Sequence, residues 1–238
     1  MRHENALILM GKAPLPGKVK TRLCPPLALR DAAALYACIL SDVAEEMERL
    51  RGVERYLFFT PAEASAHFRA GPFGGYHLRP QEGDDLGERM ERAIGEAFNN
   101  GARRVAVVGS DCPALSAARV RSAFRELSSA ADAVFGPADD GGFYLVGLGG
   151  PSPALFGGIE WSTGSVLSAV LSRCRNAGMA YALLPRESDV DTSEDLAALR
   201  RWARGHATPA CPRTRKWLAA GRRLTSGQAR PSSRRRAG

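Results

Sequence analysis

The chain has 238 residues, 45% of them hydrophobic and 24% charged, which is enough to bury a sizeable core in one domain with an appendage. No apolar run approaches the roughly 20 residues of a membrane-spanning helix, and the charged start, Met1 to Asn5, carries no signal-peptide pattern. Five scattered cysteines without a C-x-x-C pair exclude a disulfide framework and a cysteine zinc site, so a cytoplasmic protein with no membrane partner is predicted.

The net charge of +8 is unevenly placed. Residues 199–238 hold 12 of the 33 Lys and Arg and no Asp or Glu, whereas residues 1–198 hold the other 21 with all 25 acidic residues, a net of −4. The basicity therefore belongs to a tail, taken as residues 206–238 and expected to be disordered because it has few apolar residues to offset the entropy of ordering. Nucleic-acid binding through such a tail would be electrostatic and unselective. Residues 1–205 form the predicted domain.

In chain order, Asn5–Met10 is a short, nearly continuous apolar run, as expected of a strand buried on both faces of a parallel sheet. A loop rich in Lys, Pro and Gly follows. Leu35, Ile39, Val43, Met47 and Leu50 recur at helical spacing, predicting a helix over about 28–50 closed by Gly52. Val53–Thr60 and Tyr76–Arg79 read as strands. Asp84 stands at a helix start, ahead of an apolar face made by Leu86, Met90, Ala93, Ile94 and Ala97, with Asn99, Asn100 and Gly101 as the stop. Then come strand Arg104–Gly109, a helix over about 116–128, strands Ala133–Gly136 and Phe143–Leu148, helix Thr163–Asn176, strand Tyr181–Leu184 and helix Thr192–Ala203. Alternating helices and buried strands predict a three-layer α/β/α fold, with an antiparallel strand near Phe143.

Several signatures are excluded. Gly11 to Val19 resembles a P-loop, but five residues separate Gly11 from Gly17, and Val19 stands where Ser or Thr must meet magnesium. There is no G-x-G-x-x-G after a strand, no G-x-S-x-G elbow and no His pattern for a metal. What remains is a loop after the first strand carrying Lys12, Lys18, Lys20 and Arg22. The chain has 29 Arg and only four Lys, three of them in this loop. In an open α/β sheet, ligands bind beyond the carboxyl ends of the strands, where these cations suit the phosphates of a nucleotide; a solvated basic loop is the alternative.

Asp111 lies just past the end of a buried strand, in G-S-D-C-P, and a second acidic cluster, Asp189-Val190-Asp191-Thr192, follows the last strand in the same topological position. Two strand-end carboxylates facing phosphates suit Mg2+ or Mn2+, which take few protein carboxylates; a turn residue at Asp111 and a Thr192–Asp195 capping box are the structural alternatives. Asp139-Asp140-Gly141-Gly142 reads as a turn and as a close approach to a second substrate. Trp161-Ser162-Thr163 opens a helix, with a hydroxyl as cap and Trp161 either core or a stacking platform.

K-A-P-L-P-G-K-V-K-T-R-L, Q-E-G-D-D-L-G-E-R-M (Gln81–Met90), G-S-D-C-P-A-L, D-G-G-F-Y-L-V-G-L, W-S-T and D-V-D-T-S-E-D-L together resemble, over about residues 5–200, a bacterial family of GT-A-like transferases known as arsenosugar-biosynthesis or selenodomain-associated glycosyltransferases. The resemblance implies the nucleotide-diphospho-sugar transferase (GT-A-like) fold with a mostly parallel sheet. By position it implies phosphate ligands at Lys12, Lys18 and Arg22, with Lys20 beside them, and a nucleoside pocket at Asp84 and its neighbours, Gln81 among them. It implies metal ligands at Asp111 and Asp191, and an acceptor side at Asp140, Gly141, Gly142, Trp161, Ser162 and Thr163. S-D-C-P is closer to the D-x-P of nucleotidyltransferases than to the D-x-D of glycosyltransferases. The expected activity is metal-dependent glycosyl transfer from a nucleotide-diphosphate sugar to a small-molecule acceptor, with Asp140 as base. The alternatives are nucleotidyl transfer from an NTP and, from another class, nucleic-acid association through the tail.

Overall fold

The computed structural model describes residues 3–152, 155–205 and 211–225. Seven strands form one sheet: β1 (Asn5–Lys12), β2 (Val53–Thr60), β3 (His77–Pro80), β4 (Arg104–Gly109), β5 (Ala133–Pro137), β6 (Phe143–Leu148) and β7 (Tyr181–Leu183). Their order is β3-β2-β1-β4-β6-β5-β7. All neighbouring pairs are parallel except those of β6, which runs antiparallel to both β4 and β5. This is the three-layer, mostly parallel fold that the alternation of elements predicted, with the antiparallel strand where it was expected.

Burial on both faces explains the unbroken apolar runs. Ala6, Ile8 and Met10 of β1, with Val105 and Val107 of β4, face a core under α2 (Leu86–Asn99) and α4 (Val166–Asn176). Leu7 and Leu9, with Ala106 and Val108, face the other core under α1 (Leu29–Met47), α3 (Ala117–Ser129) and α5 (Ser193–Gly205). Alternate residues of one strand thus serve opposite layers.

The sheet order reverses beside β1: the chain passes from β1 outward through β2 to β3, then returns to place β4 on the other side. The carboxyl ends of β1 and β4 therefore diverge around a crevice. Because β6 is antiparallel, its amino end lies at this same rim, so the turn between β5 and β6 delivers Asp140, Gly141 and Gly142 there.

The structure differs from the sequence expectation at four places. The cap of α2 is Asp85, whose Oδ1 accepts from Glu88 N at 2.9 Å, whereas Asp84 is one residue outside and donates its N–H to Glu88 Oε2. Leu86, expected on the buried face of that helix, is 43% exposed. The helix expected from Thr163 begins at Val166, and its N-cap Ser165 makes no side-chain cap bond. Most important, part of the expected tail is a helix, α6 (Pro212–Thr225), seated on α1. Asp42 of α1, its side chain fully buried, accepts from the backbone N–H groups of Arg213 (3.1 Å) and Thr214 (2.8 Å), and Leu218 joins the core. A sequence pattern of mostly basic residues concealed this, because the capping carboxylate lies about 170 residues away. The rest of the tail, 206–210 and 226–238, lies outside the described residues.

No helix among the described residues is long and apolar enough to cross a membrane.

Candidate functional site

The crevice has a volume of about 540 Å3. Of the residues singled out from the sequence, it brings together Lys12, Lys18, Lys20, Arg22, Gln81, Asp111, Asp140, Gly142, Trp161, Ser162, Thr163 and Asp191. Asp84 does not line it, and Gly141 acts through its backbone. Leu86, Phe143 and Tyr144 add an apolar wall.

The loop leaving β1 splits its cations into two kinds. Lys12 and Lys18 are exposed and make no ion pair among the described residues, so their ammonium groups stand free for an anion. Lys20 is buried, with left-handed backbone at φ 51°. Its Nζ lies 2.9 Å from Asp111 Oδ1 and 3.6 Å from Asp191 Oδ1, with the Tyr36 ring 5.9 Å away. Arg22 NH1 reaches the second oxygen of Asp191 at 2.6 Å.

The base of the site is tied across the switch point. Tyr36 of α1 accepts from Lys12 N at 2.9 Å and shares a hydrogen bond with Ser110 Oγ at 2.8 Å, joining the end of β1 to the residue after β4. Burial, and then the Asp111 charge, push the Tyr36 hydroxyl well above its ordinary pKa, so it stays protonated. The two acidic segments are joined as well: Val190 N donates to Asp111 O at 3.0 Å. Downstream, Asp195 Oδ2 accepts from Asp191 N, Thr192 N and the Thr192 hydroxyl, closing the capping box and holding Asp191 at the mouth of α5.

On the far side, Gly141 has φ 87°, and a Cβ there would lie 2.2 Å from Gly164 O, so the β5–β6 turn and the Trp161–Gly164 loop meet backbone to backbone. Asp140 Oδ1 accepts from Gly142 N at 2.9 Å, which fixes the carboxylate at the rim. Ser162 adopts φ 63°, another left-handed non-glycine position. Of the three such residues in the described chain, Lys20 and Ser162 both line the crevice, as backbone held off its preferred conformation often does at functional sites. Trp161 is half-buried and edge-on to Phe143, with ring centroids 6.4 Å apart, and its buried Nε1 has no partner among the described residues. Thr163 spends its hydroxyl on Glu160 O and Ser165 Oγ. Gln81 spends both amide hydrogens on carbonyls, at Gly11 O and Phe58 O, leaving its own carbonyl oxygen as an acceptor in the crevice.

Sequence reasoning missed Tyr36, read only as helix, and gave Asp189 no role beyond its place in the acidic cluster. The Asp189 carboxyl is pushed up to about 7 by burial, then by the charges of Asp111 and Asp140, with Lys20 opposing. Its alternation with Asp191 was visible; that both line the crevice was not.

The residues present can be tested against the expected divalent ion. Asp111 Oδ1 and Asp191 Oδ1 converge on one cation, and hard carboxylate oxygens at a phosphate-facing rim suit Mg2+ or Mn2+. No three His, Cys, Asp or Glu side chains among the described residues close on a point, and the cation between the carboxylates is Lys20. The pair fits an ion held by two protein ligands and completed by phosphate oxygens.

The sequence profile of a family described as uncharacterized proteins conserved in bacteria (DUF2064) matches residues 43–163. Over 94% of the chain and 97% of its counterpart, the fold superposes with a TM-score of 0.86 and 33% identity on a protein from Desulfovibrio desulfuricans G20, provisionally designated a nucleotide-diphospho-sugar transferase. The chain belongs to the DUF2064 family. More distant members of the same fold include a 4-diphosphocytidyl-2C-methyl-D-erythritol synthase (12% identity, TM-score 0.56, 84% of this chain and 98% of that one). Another is CMP:2-keto-3-deoxy-manno-octonic acid synthetase complexed with CTP (13%, 0.53, 83% and 98%). Among curated proteins, none matches this DUF2064 chain.

Proposed function

We propose that this protein is a metal-dependent transferase acting on an activated nucleotide, and that its first activity is glycosyl transfer from a nucleotide-diphosphate sugar to a small-molecule acceptor, in a reducing cytoplasm. The observation that carries the reading is the meeting, at the switch point, of the Asp111–Asp191 pair with the free ammonium groups of Lys12 and Lys18. The provisional designation of the 33%-identical protein supports it. All five cysteines being free suits a reducing compartment.

In this reading Lys12 and Lys18 bind the diphosphate and offset the negative charge that grows on it as the bond to the sugar breaks. Asp111 and Asp191 would hold the divalent ion, which when bound supplies charge stabilisation at the same phosphates. Asp140, kept at the rim by Gly142 N, takes the proton from the attacking acceptor hydroxyl. Trp161, Phe143 and Leu86 form the wall against which the acceptor lies.

Nucleotidyl transfer is the second reading. It is favoured by the S-D-C-P sequence at Asp111 and by the CTP bound in a structure of the same fold. A thermal-shift panel of NTPs and nucleotide-diphosphate sugars with Mg2+ or Mn2+ separates the two, since a ligand at 100 times its Kd stabilises by about 2.7 kcal/mol. Selective stabilisation by nucleotide sugars supports glycosyl transfer. Selective stabilisation by a bare NTP, with pyrophosphate released once acceptor is added, overturns it in favour of the second reading.

A further inference from the structure

The cations of the crevice are unequal in a way that its phosphate-binding role does not require. Lys12 and Lys18 are exposed, as ligands for an incoming anion should be. Lys20 is buried, takes a left-handed backbone that costs a non-glycine residue energy, and spends its ammonium on Asp111 at 2.9 Å and Asp191 at 3.6 Å. Those are the two carboxylates that suit a divalent ion. A cation of the protein's own thus stands between the two carboxylates, and Arg22 covers the other oxygen of Asp191.

We propose that Lys20 is the resident counter-cation of the Asp111–Asp191 pair and competes with the divalent ion for it. This deepens the metal-dependent reading above and rests on it. The two carboxylates, the Lys20 ammonium and the Arg22 guanidinium sum to zero charge, so a bare ion gains little by entering: it must desolvate, displace Lys20 and leave an ammonium buried without a partner. A polyphosphate changes that balance, because its oxygens can take the ammonium while completing the ion's shell. The ion therefore enters with the nucleotide, and the empty crevice binds it weakly. The same exchange moves one positive charge from the carboxylates to the phosphates at the moment substrate arrives.

The test is Mn2+ affinity of the full chain without nucleotide, read from the free Mn2+ signal in electron paramagnetic resonance. Lys20→Met should bind Mn2+ at least tenfold more tightly than the wild type. Lys18→Met, which removes an exposed charge from the same crevice but no carboxylate partner, should change the affinity less than threefold. Unchanged or weaker binding in Lys20→Met overturns the proposal; weaker binding would make Lys20 a support for the ion site and not its competitor.

A second measurement needs no variant and so does not depend on Lys20→Met folding. With only four lysines in the chain, acetylation followed by mass spectrometry resolves each one. Lys20 should label more slowly than Lys12 and Lys18, and millimolar Mn2+ should speed its labelling several-fold; no acceleration overturns the proposal. Mn2+-dependent stabilisation by nucleotides alongside an unchanged affinity in Lys20→Met would leave the transferase reading standing and remove this one. Tighter Mn2+ binding in Lys20→Met with no stabilisation by any nucleotide would keep Lys20 as the competitor of the ion and remove both the transferase reading and the exchange onto phosphate. Absence of Mn2+ binding under every condition removes both.

Discussion

The helix at the end of the described chain should be part of the domain, and Asp42 is the residue through which to test it. Its side chain is fully buried and accepts the first backbone N–H groups of α6, from Arg213 and Thr214, with the Arg213 guanidinium 3.5 Å away. Asp42→Ala would leave the buried Thr214 N–H and the part-buried Arg213 N–H without acceptors, at about 1–3 kcal/mol for the buried one and less for the other, and remove a negative charge from a helix start, for a total of about 3 kcal/mol. At roughly 2–4 °C per kcal/mol for a chain of this size, the melting temperature should fall by about 6–12 °C. The loss has a ceiling, because α6 can detach instead of suffering the full penalty, and that ceiling is the docking free energy of the helix, to which burial of Leu218 alone contributes about 1.5–3 kcal/mol. A chain ending at Gly205 measures the ceiling directly. Thermal denaturation followed by circular dichroism should therefore place Asp42→Ala between the wild type and the truncated chain, or level with the latter. A truncated chain that melts within a degree or two of the full-length protein would refute the reasoning and return residues 206–238 to the status of a solvated tail.

Asp111→Asn and Asp191→Asn should each abolish transfer while leaving the melting temperature within a few degrees, and the double variant should be hardly worse than either single one, because both act on one ion; additive losses in a kinetic assay would separate their roles. Lys12→Ala and Lys18→Ala should each weaken nucleotide binding, with roughly 1.5–3 kcal/mol at stake in a charge-assisted contact, while Lys216→Ala, at an exposed position of α6, leaves it unchanged; equal effects at all three in a titration would reduce the loop to general electrostatics. Gly141→Ala should cut both stability and acceptor use, since its Cβ would meet Gly164 O at 2.2 Å in a left-handed conformation; wild-type acceptor KM would show that the turn does not shape that side.

Much of the fold was legible because its signals are local. Buried parallel strands must be apolar on both faces, so Asn5–Met10 and Arg104–Gly109 read as strands without their neighbours, and α1 announced itself through one 3.6-residue stripe. The rule that ligands gather at strand ends then places the β1 loop and Asp111 at one rim from the order of elements alone. Element edges and caps were less legible: Asp84 and Asp85 are equally good caps by type, and only the geometry chose Asp85.

Three decisions belonged to the tertiary structure alone. Lys20 and Lys18 look alike two residues apart, yet one is buried between carboxylates and the other free, because burial depends on Asp111 and Asp191, which arrive from strand ends about 90 and 170 residues away. Leu86 belongs by periodicity to a buried face, yet it opens onto the crevice, while the next residue, Gly87, is the one packed beneath Phe156 and Trp161. The basic segment after Pro212 lacked the pattern of a core helix, yet it docks, because its missing N-terminal acceptor is supplied by Asp42 on α1. Composition and periodicity report what a segment can bury of itself. Whether a charge is free, paired or used as a cap depends on groups brought to it through space, and that is settled only when the chain has folded.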